Sequence, residues 1–333
     1  MATTVPTIGD RLPHHGIAMK NTGYIAFALL GLIWGTNFIF MKWAAALISP
    51  AQIVLLRVLF GFVPILLWAL ASRSLSWAHL RHAHHFLVMA LLATVFYYYA
   101  LAQGAGLLLS SVAGMLSGAI PLFTFLTAWL FLRQEPVNAR IALGVFCGFL
   151  GVVLIARPWQ TAAAGINLEG VLYMLLGSLS VGCSFVYAKR FLSPLNISPV
   201  ALCTYQIGLA LIILTLLTDL QGIGRITEDT RALVGISLGL GLLGTGLAYI
   251  LYYFIVQRLG AVAASSTTYI PPVIALLIGF FLVDEPLQMA DLLAVAAILG
   301  GVYILQTGRK QATAAEQQIK STQRAGESCP ARR

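Results

Sequence analysis

Two stretches of this chain repeat one another in order and spacing, and each holds five apolar runs long enough to cross a bilayer. Gly35 to Lys42 reads GTNFIFMK and Gly182 to Lys189 reads GCSFVYAK, with Gly, Phe and Lys in step and Phe40 opposite Tyr187. Ser49-Pro50 and Ser198-Pro199 each open an apolar run. Val112-Ala113, Ile120-Pro121 and Glu135-Pro136 return as Val262-Ala263, Ile270-Pro271 and Glu285-Pro286, all displaced by the same interval. An odd number of crossings per copy forces the second copy to insert upside down relative to the first. Such inverted repeats enclose one central site that is exposed alternately to the two sides of a membrane. The predicted fold class is an all-α integral membrane protein, with ten transmembrane helices as two inverted five-helix repeats around a central cavity.

Composition excludes the soluble alternatives: 59% of the residues are hydrophobic and only 9% are charged, far from the balance of a soluble domain. Spans of roughly 20 residues, the length needed to cross ~30 Å of hydrocarbon, are expected near 22–42, 51–71, 86–104, 108–132, 138–156, 169–188, 199–217, 233–256, 261–283 and 288–306. The organisation that follows is a cytoplasmic amino-terminal tail (1–21), a first repeat (22–158), a second repeat (159–308) and a disordered cytoplasmic tail (309–333). The amino-terminal segment lacks the short apolar core of a cleaved signal peptide. The last is rich in Ala, Gln, Ser and charge, too polar to bury a core.

Lys and Arg set the orientation. With the amino terminus inside, fifteen lie on cytoplasmic connections or tails, four (Lys42, Arg157, Arg225 and Arg231) lie outside, and Arg57 is left within a span. Both termini are expected in the cytoplasm. The net charge of +9 is then a topology signal, and no nucleic-acid partner is implied. Cys147, Cys183, Cys203 and Cys329 are scattered, which suggests neither a disulfide framework nor a metal site.

Trp34, Gly35, Thr36 and Asn37 in the first span, Arg57 in the second, Pro121 and Pro271 in the fourth and ninth, Glu135 and Glu285 closing those spans, and Gly144, Gly148, Gly151, Gly300 and Gly301 in the fifth and tenth form one ordered pattern. It resembles the EamA-type branch of the drug/metabolite transporter superfamily over residues 22 to 308, and looks most like the aromatic amino-acid exporters of bacterial inner membranes. The resemblance implies a secondary transporter or facilitator that exports small metabolites, without a cofactor.

Ionisable groups inside a bilayer are site candidates by default, and Arg57 is one, with Gln206 as its repeat mate. Either its guanidinium receives a substrate carboxylate, or it snorkels to the interface or ties helix ends through their carbonyls. Tyr99 with Gln103, and in the matching place Tyr249 with Tyr253, are four residues apart and share a helix face. They would line a pocket of aromatic rings with a few polar tips; belt aromatics or ordinary packing are the alternative. Trp34, Asn37 and Met41 form a stripe answered by Ser180, Ser184 and Tyr187; Asn37 and Ser184 are repeat mates that bind either substrate or a neighbouring helix. Ser117, Tyr205 and Tyr269 are weaker candidates. Pro121, Pro271 and Pro272 are expected to kink their spans.

There is no GxxxxGK[ST] loop, so ATP hydrolysis is not expected. Every Asp and Glu lies at a span end or outside the spans, which points to a facilitator or exchanger rather than a proton relay. His79, His82, His84 and His85 fall in one connection, where a solvated loop is expected and a stray metal is the alternative. The longest internal loop, residues 218–232, is too short to fold alone, which disfavours an enzyme or receptor. No continuous polar pore marks a channel. The implied partners are a small-molecule substrate, an amino acid or similar metabolite, and membrane lipid; the sequence leaves monomer and homodimer open.

Overall fold

The computed structural model describes residues 14–131, 138–157, 166–259 and 267–327, with backbone alone for 14–21, 253, 256–259, 309 and 312–327. Every regular element among them is helical. Among the described residues nine helices are long and apolar enough to cross a membrane, and a tenth, Thr267–Val283, is apolar and shorter. In chain order they are α1 (His14–Ala45), α2 (Pro50–Ala71), α3 (Trp77–Leu107), α4 (Ser110–Phe131) and α5 (Ala139–Ala156). The second set is α6 (Leu168–Leu195), α7 (Pro199–Leu217), α8 (beginning at Thr230), α9 (Thr267–Val283) and α10 (Met289–Glu327).

Local chemistry sets the helix ends. Ser49 and Gln52 form a reciprocal capping box at the start of α2 with Pro50 in the first turn, an arrangement that satisfies amide groups otherwise left bare. Asn138 caps α5, Asn167 caps α6 and Ser198 caps α7. Pro121, Pro271 and Pro272, expected to kink their spans, fall in the first turn of helical segments. In α4 the regular helix stops at Ser117 and restarts at Ile120, and Gly118 and Ala119 donate to carbonyls three residues back. Pro121 therefore falls in the first turn of the restarted segment. Pro271 and Pro272 likewise open Ile270–Val283, where a missing N–H leaves no bond unmade. The last helix runs on to Glu327 where composition argued for a disordered tail. Its Ala, Gln, Lys and Glu are also strong helix formers, and propagation from an existing span avoids the cost of nucleation.

Contacts between the two sets of spans come in reciprocal pairs. α1 packs on α8 and α9, and α6 packs on α3 and α4; α2 packs on α8, and α7 on α3. α2–α7, α4–α9 and α5–α10 pair a span with its own counterpart. The correspondence reaches individual residues. A Cβ on Gly35 would strike Ile274 of α9, and one on its mate Gly182 would lie 3.0 Å from the backbone of Phe123 and Thr124 of α4. Gly151 faces the backbone of Ala294 and Ile298, and Gly301 faces that of Gly144 and Gly148. As α5 advances from Gly144 to Gly151, its neighbour on α10 recedes from Leu305 to Ala294, so these two run antiparallel. Small residues permit this backbone approach, as is usual where lipid supplies no hydrophobic drive. The outer surface is apolar in turn, with Leu67, Phe146, Leu216 and Phe281 exposed.

Candidate functional site

Among the described residues, three spans contain π-helical stretches. α3 is π-helical over Ala90–Val95, α8 over Gly235–Leu247 and α6 over Ala188–Leu192. The first two overlap in the repeat register, with Thr94 corresponding to Gly244. A π turn widens the helix and disturbs the regular carbonyl ladder, and such turns favour functional sites. At both of these places a long polar side chain from a neighbouring span docks. Arg57 of α2 donates through Nε to Thr245 Oγ1 at 3.0 Å and through Nη2 to the Gly244 carbonyl at 3.4 Å. Gln206 of α7 donates through Nε2 to Thr94 Oγ1 at 2.9 Å. The two mates thus bridge α2 to α8 and α7 to α3.

Arg57 is only 3% exposed, so it does not snorkel to an interface. Its guanidinium lies over the Tyr98 ring, 3.9 Å from the centroid, a contact worth about 2 kcal/mol when desolvated. Asn37 of α1 completes the group: with its amide oriented to suit both neighbours, the nitrogen donates to the Ile33 carbonyl at 3.2 Å and the oxygen accepts from Arg57 Nη2 at 3.3 Å. Arg57 Nη1 is buried with no hydrogen-bond partner. The side-chain ion pairs among the described residues join Arg157 to Asp291 and Arg225 to Glu228; Arg57 has none. A buried cation without a counter-ion is costly, and its free N–H groups suit an anionic or carbonyl oxygen.

The other anticipated residues divide. Gln103 Nε2 donates to the Tyr99 hydroxyl at 3.3 Å, which places this pair on one face of α3, and Tyr99 packs beside the main core, as does Tyr249 of α8. Trp34 packs near Tyr252 in a separate cluster with Leu30, Ile33, Ala248 and Ile255. Ser184 is fully buried and donates to the Val181 carbonyl of its own helix at 2.7 Å, so its hydroxyl is not held by its mate's kind of interhelical bond. Tyr187 lies at the far end of α6, its hydroxyl 2.8 Å from His85 Nδ1 and its ring against Phe191. Ser117 donates to Gly114 O in its own helix, and Tyr205 bonds Ser76. The side chain of Tyr253 and all of Glu135 lie outside the described residues. Sequence reasoning missed Tyr98 and Thr245; the only signal for Thr245 was its place one residue beyond Thr94's counterpart.

At one end of the bundle a second polar group was also missed. Lys42 Nζ donates to the carbonyls of Gly106 (3.1 Å) and Leu108 (2.5 Å) at the end of α3. Glu285, between α9 and α10, accepts from Ser110 N (2.7 Å), Ser110 Oγ (2.8 Å) and Ser111 N (2.9 Å) at the start of α4. Burial pushes the Glu285 carboxyl up, but hydrogen bonds from Ser111 and Ser110 outweigh it and hold the group below its ordinary 4.5. Its folded-state value is depressed, so its stabilisation is present at neutral pH and is lost only as acid titrates the carboxylate. At other helix ends, Gln52 donates to the carbonyls of Asp219 (2.8 Å) and Gln221 (2.9 Å), and Arg157 bonds Asp291 and Gln288.

Paired apolar spans around a buried, partly unpartnered cation are the architecture of a multi-pass helical membrane protein. The chain belongs to the EamA-like transporter family, whose pattern it matches twice, over residues 21–157 and 168–307. It is 25% identical to an uncharacterized transporter of Archaeoglobus fulgidus over 85% of this chain and 98% of that one. It is 26% identical to the uncharacterized transporter YdfC of Bacillus subtilis, covering 84% and 89% respectively. With the uncharacterized inner membrane transporter YedA of Escherichia coli it shares 25% over 60% of this chain and 63% of that protein. One solved crystal structure shares the fold at a TM-score of 0.55 and 17% identity, over 87% of this chain and 98% of the other.

Proposed function

We propose that this chain is a secondary transporter or facilitator of the bacterial inner membrane, exporting small metabolites by alternating access. The proposed substrates are amino acids with aromatic or apolar side chains. The observation that carries this reading is Arg57: a buried guanidinium with one unpartnered nitrogen, beside Tyr98 and Asn37. A substrate carboxylate would supply the missing counter-charge, and the rings of Tyr98 and Tyr99 and the apolar core beside them would suit a non-polar side chain. The two halves would be inverted repeats with both termini cytoplasmic. The antiparallel run of α5 against α10 and the reciprocal contacts of the remaining spans support the inversion. The substrate would move down its own gradient, since no carboxylate among the described residues pairs with Arg57.

The test is uptake into proteoliposomes containing the purified full chain, with labelled amino acids, sugars and cationic dyes. Phenylalanine-like cargo should be taken up, with dyes and sugars at the background of empty liposomes; preference for a cationic dye would overturn the substrate assignment. Accumulation driven by a pH gradient alone would refute the uncoupled mechanism. Tyr99→Ala should lower the initial rate for aromatic cargo by roughly tenfold, equivalent to ~1.4 kcal/mol of lost ring contact, while alanine uptake changes little. Equal loss for both substrates would remove this ring from the specificity wall.

A further inference from the structure

The polar group at one end of the bundle ties α1 and the α9–α10 turn to the turn between α3 and α4. Lys42 belongs to α1 and holds the carboxyl end of α3; Glu285 comes from the second half and holds the amino end of α4. Each charge complements the partial charge at the helix end it touches. Leu108 and Leu109 alone separate those two ends, so both charges grip one tight turn. The grip is built into the fold around it. Asp284 adopts a left-handed conformation, φ 52°, and Glu285 N donates to the Gly279 carbonyl at 2.9 Å, which turns the carboxylate back along α9. A Cβ on Gly279 would lie 2.8 Å from the Ser111 Cβ, so a side chain there would displace the group. Ser110, Ser111 and Glu285 are all buried.

We infer that Lys42 and Glu285 are positioning residues of the transport cycle, fastening the α3–α4 turn to α1 and to the α9–α10 turn respectively, so that the proposed substrate path is shut at this end until both grips release. This rests on the transporter reading, although it is indifferent to the substrate. In the other half the sequence keeps Lys189 and Glu135 as mates, but Gly260 and Ala261 stand where Ser110 and Ser111 do. The hydroxyl of Ser110 therefore has no sequence counterpart in the other half.

The experiment uses the full chain in lipid nanodiscs, with the four native cysteines replaced by serine and Ala113→Cys as reporter. Ala113 is fully buried one turn below Ser110. A membrane-impermeant maleimide then reads how often this end opens, in the absence of substrate. Glu285→Gln and Lys42→Gln should each raise the labelling rate by roughly fivefold, as expected for loss of charge-assisted hydrogen bonds. The double variant should approach the product of the two singles, because opening breaks both grips and their free-energy losses add. Ser110→Ala keeps both backbone donors and should give about a twofold rise, which guards against variants that do not fold. Unchanged labelling in Ser110→Ala and Glu285→Gln, with only a lower melting temperature, would overturn the proposal and leave the group as a structural tie. Labelling is read without cargo, so a wrong substrate assignment would leave this result standing, and a negative result here would leave the uptake panel intact.

Discussion

Gly301→Val should markedly lower the melting temperature of the purified protein, whereas Gly300→Val should be nearly silent. The two positions are adjacent in sequence and opposite in environment. A Cβ on Gly301 would stand 2.5 Å from Gly148 N and 2.6 Å from Gly144 O, while nothing lies within 4 Å of one on Gly300. The atoms in the way belong to the backbone of α5, so no rotamer change relieves the clash and the two helices must part. Overpacking of this kind costs about 1–3 kcal/mol, and an unhindered surface change stays within about 0.5 kcal/mol. Thermal unfolding of the two variants in the same detergent separates the effects. Equal melting temperatures would mean that α5 and α10 do not meet through their glycines.

Arg57→Gln should reduce uptake of a carboxylate substrate by at least roughly tenfold, about 1.4 kcal/mol, with a smaller effect on an analogue that lacks the carboxylate. Four contacts vanish with the guanidinium: the bond to Thr245, the contact with Gly244, the bond to Asn37 and the stacking on Tyr98. Gln206 shows that an amide can still bridge such a π-helical site, through Thr94 in the other half, so the exchange keeps a plausible tie between α2 and α8. Arg57→Lys retains the charge and loses the planar fork; an intermediate rate is expected. Uptake equal to the parent in Arg57→Gln, with a lower melting temperature, would assign Arg57 to helix bridging alone.

The spans and their duplication were legible because hydrocarbon imposes length and hydropathy on any helix that crosses it. Arg57 was legible for the related reason that a lone ionisable group in such a run stands out. Which of Tyr97, Tyr98 and Tyr99 faces that cation was not. Tyr99 and Gln103 were chosen from α-helical spacing, and that pair does share a face, yet Tyr98 is the ring beneath the guanidinium. Ala90–Val95 is π-helical just before these rings. Its extra residue per turn rotates the following side chains by about 100°, the angular step of one residue. Glu285 escaped for a different reason. Its position at a span end suggested solvent, but its partners at Ser110 and Ser111 are distant in sequence and become visible only once α4 and α9 cross.

In a solvent that is itself oily, two helices release no ordered water by touching, so α5 and α10 adhere by dispersion between close-set backbones. Such adhesion depends on shape and hardly at all on charge, salt or acidity. This pair should therefore stay packed whatever the ionic changes on either side of the membrane.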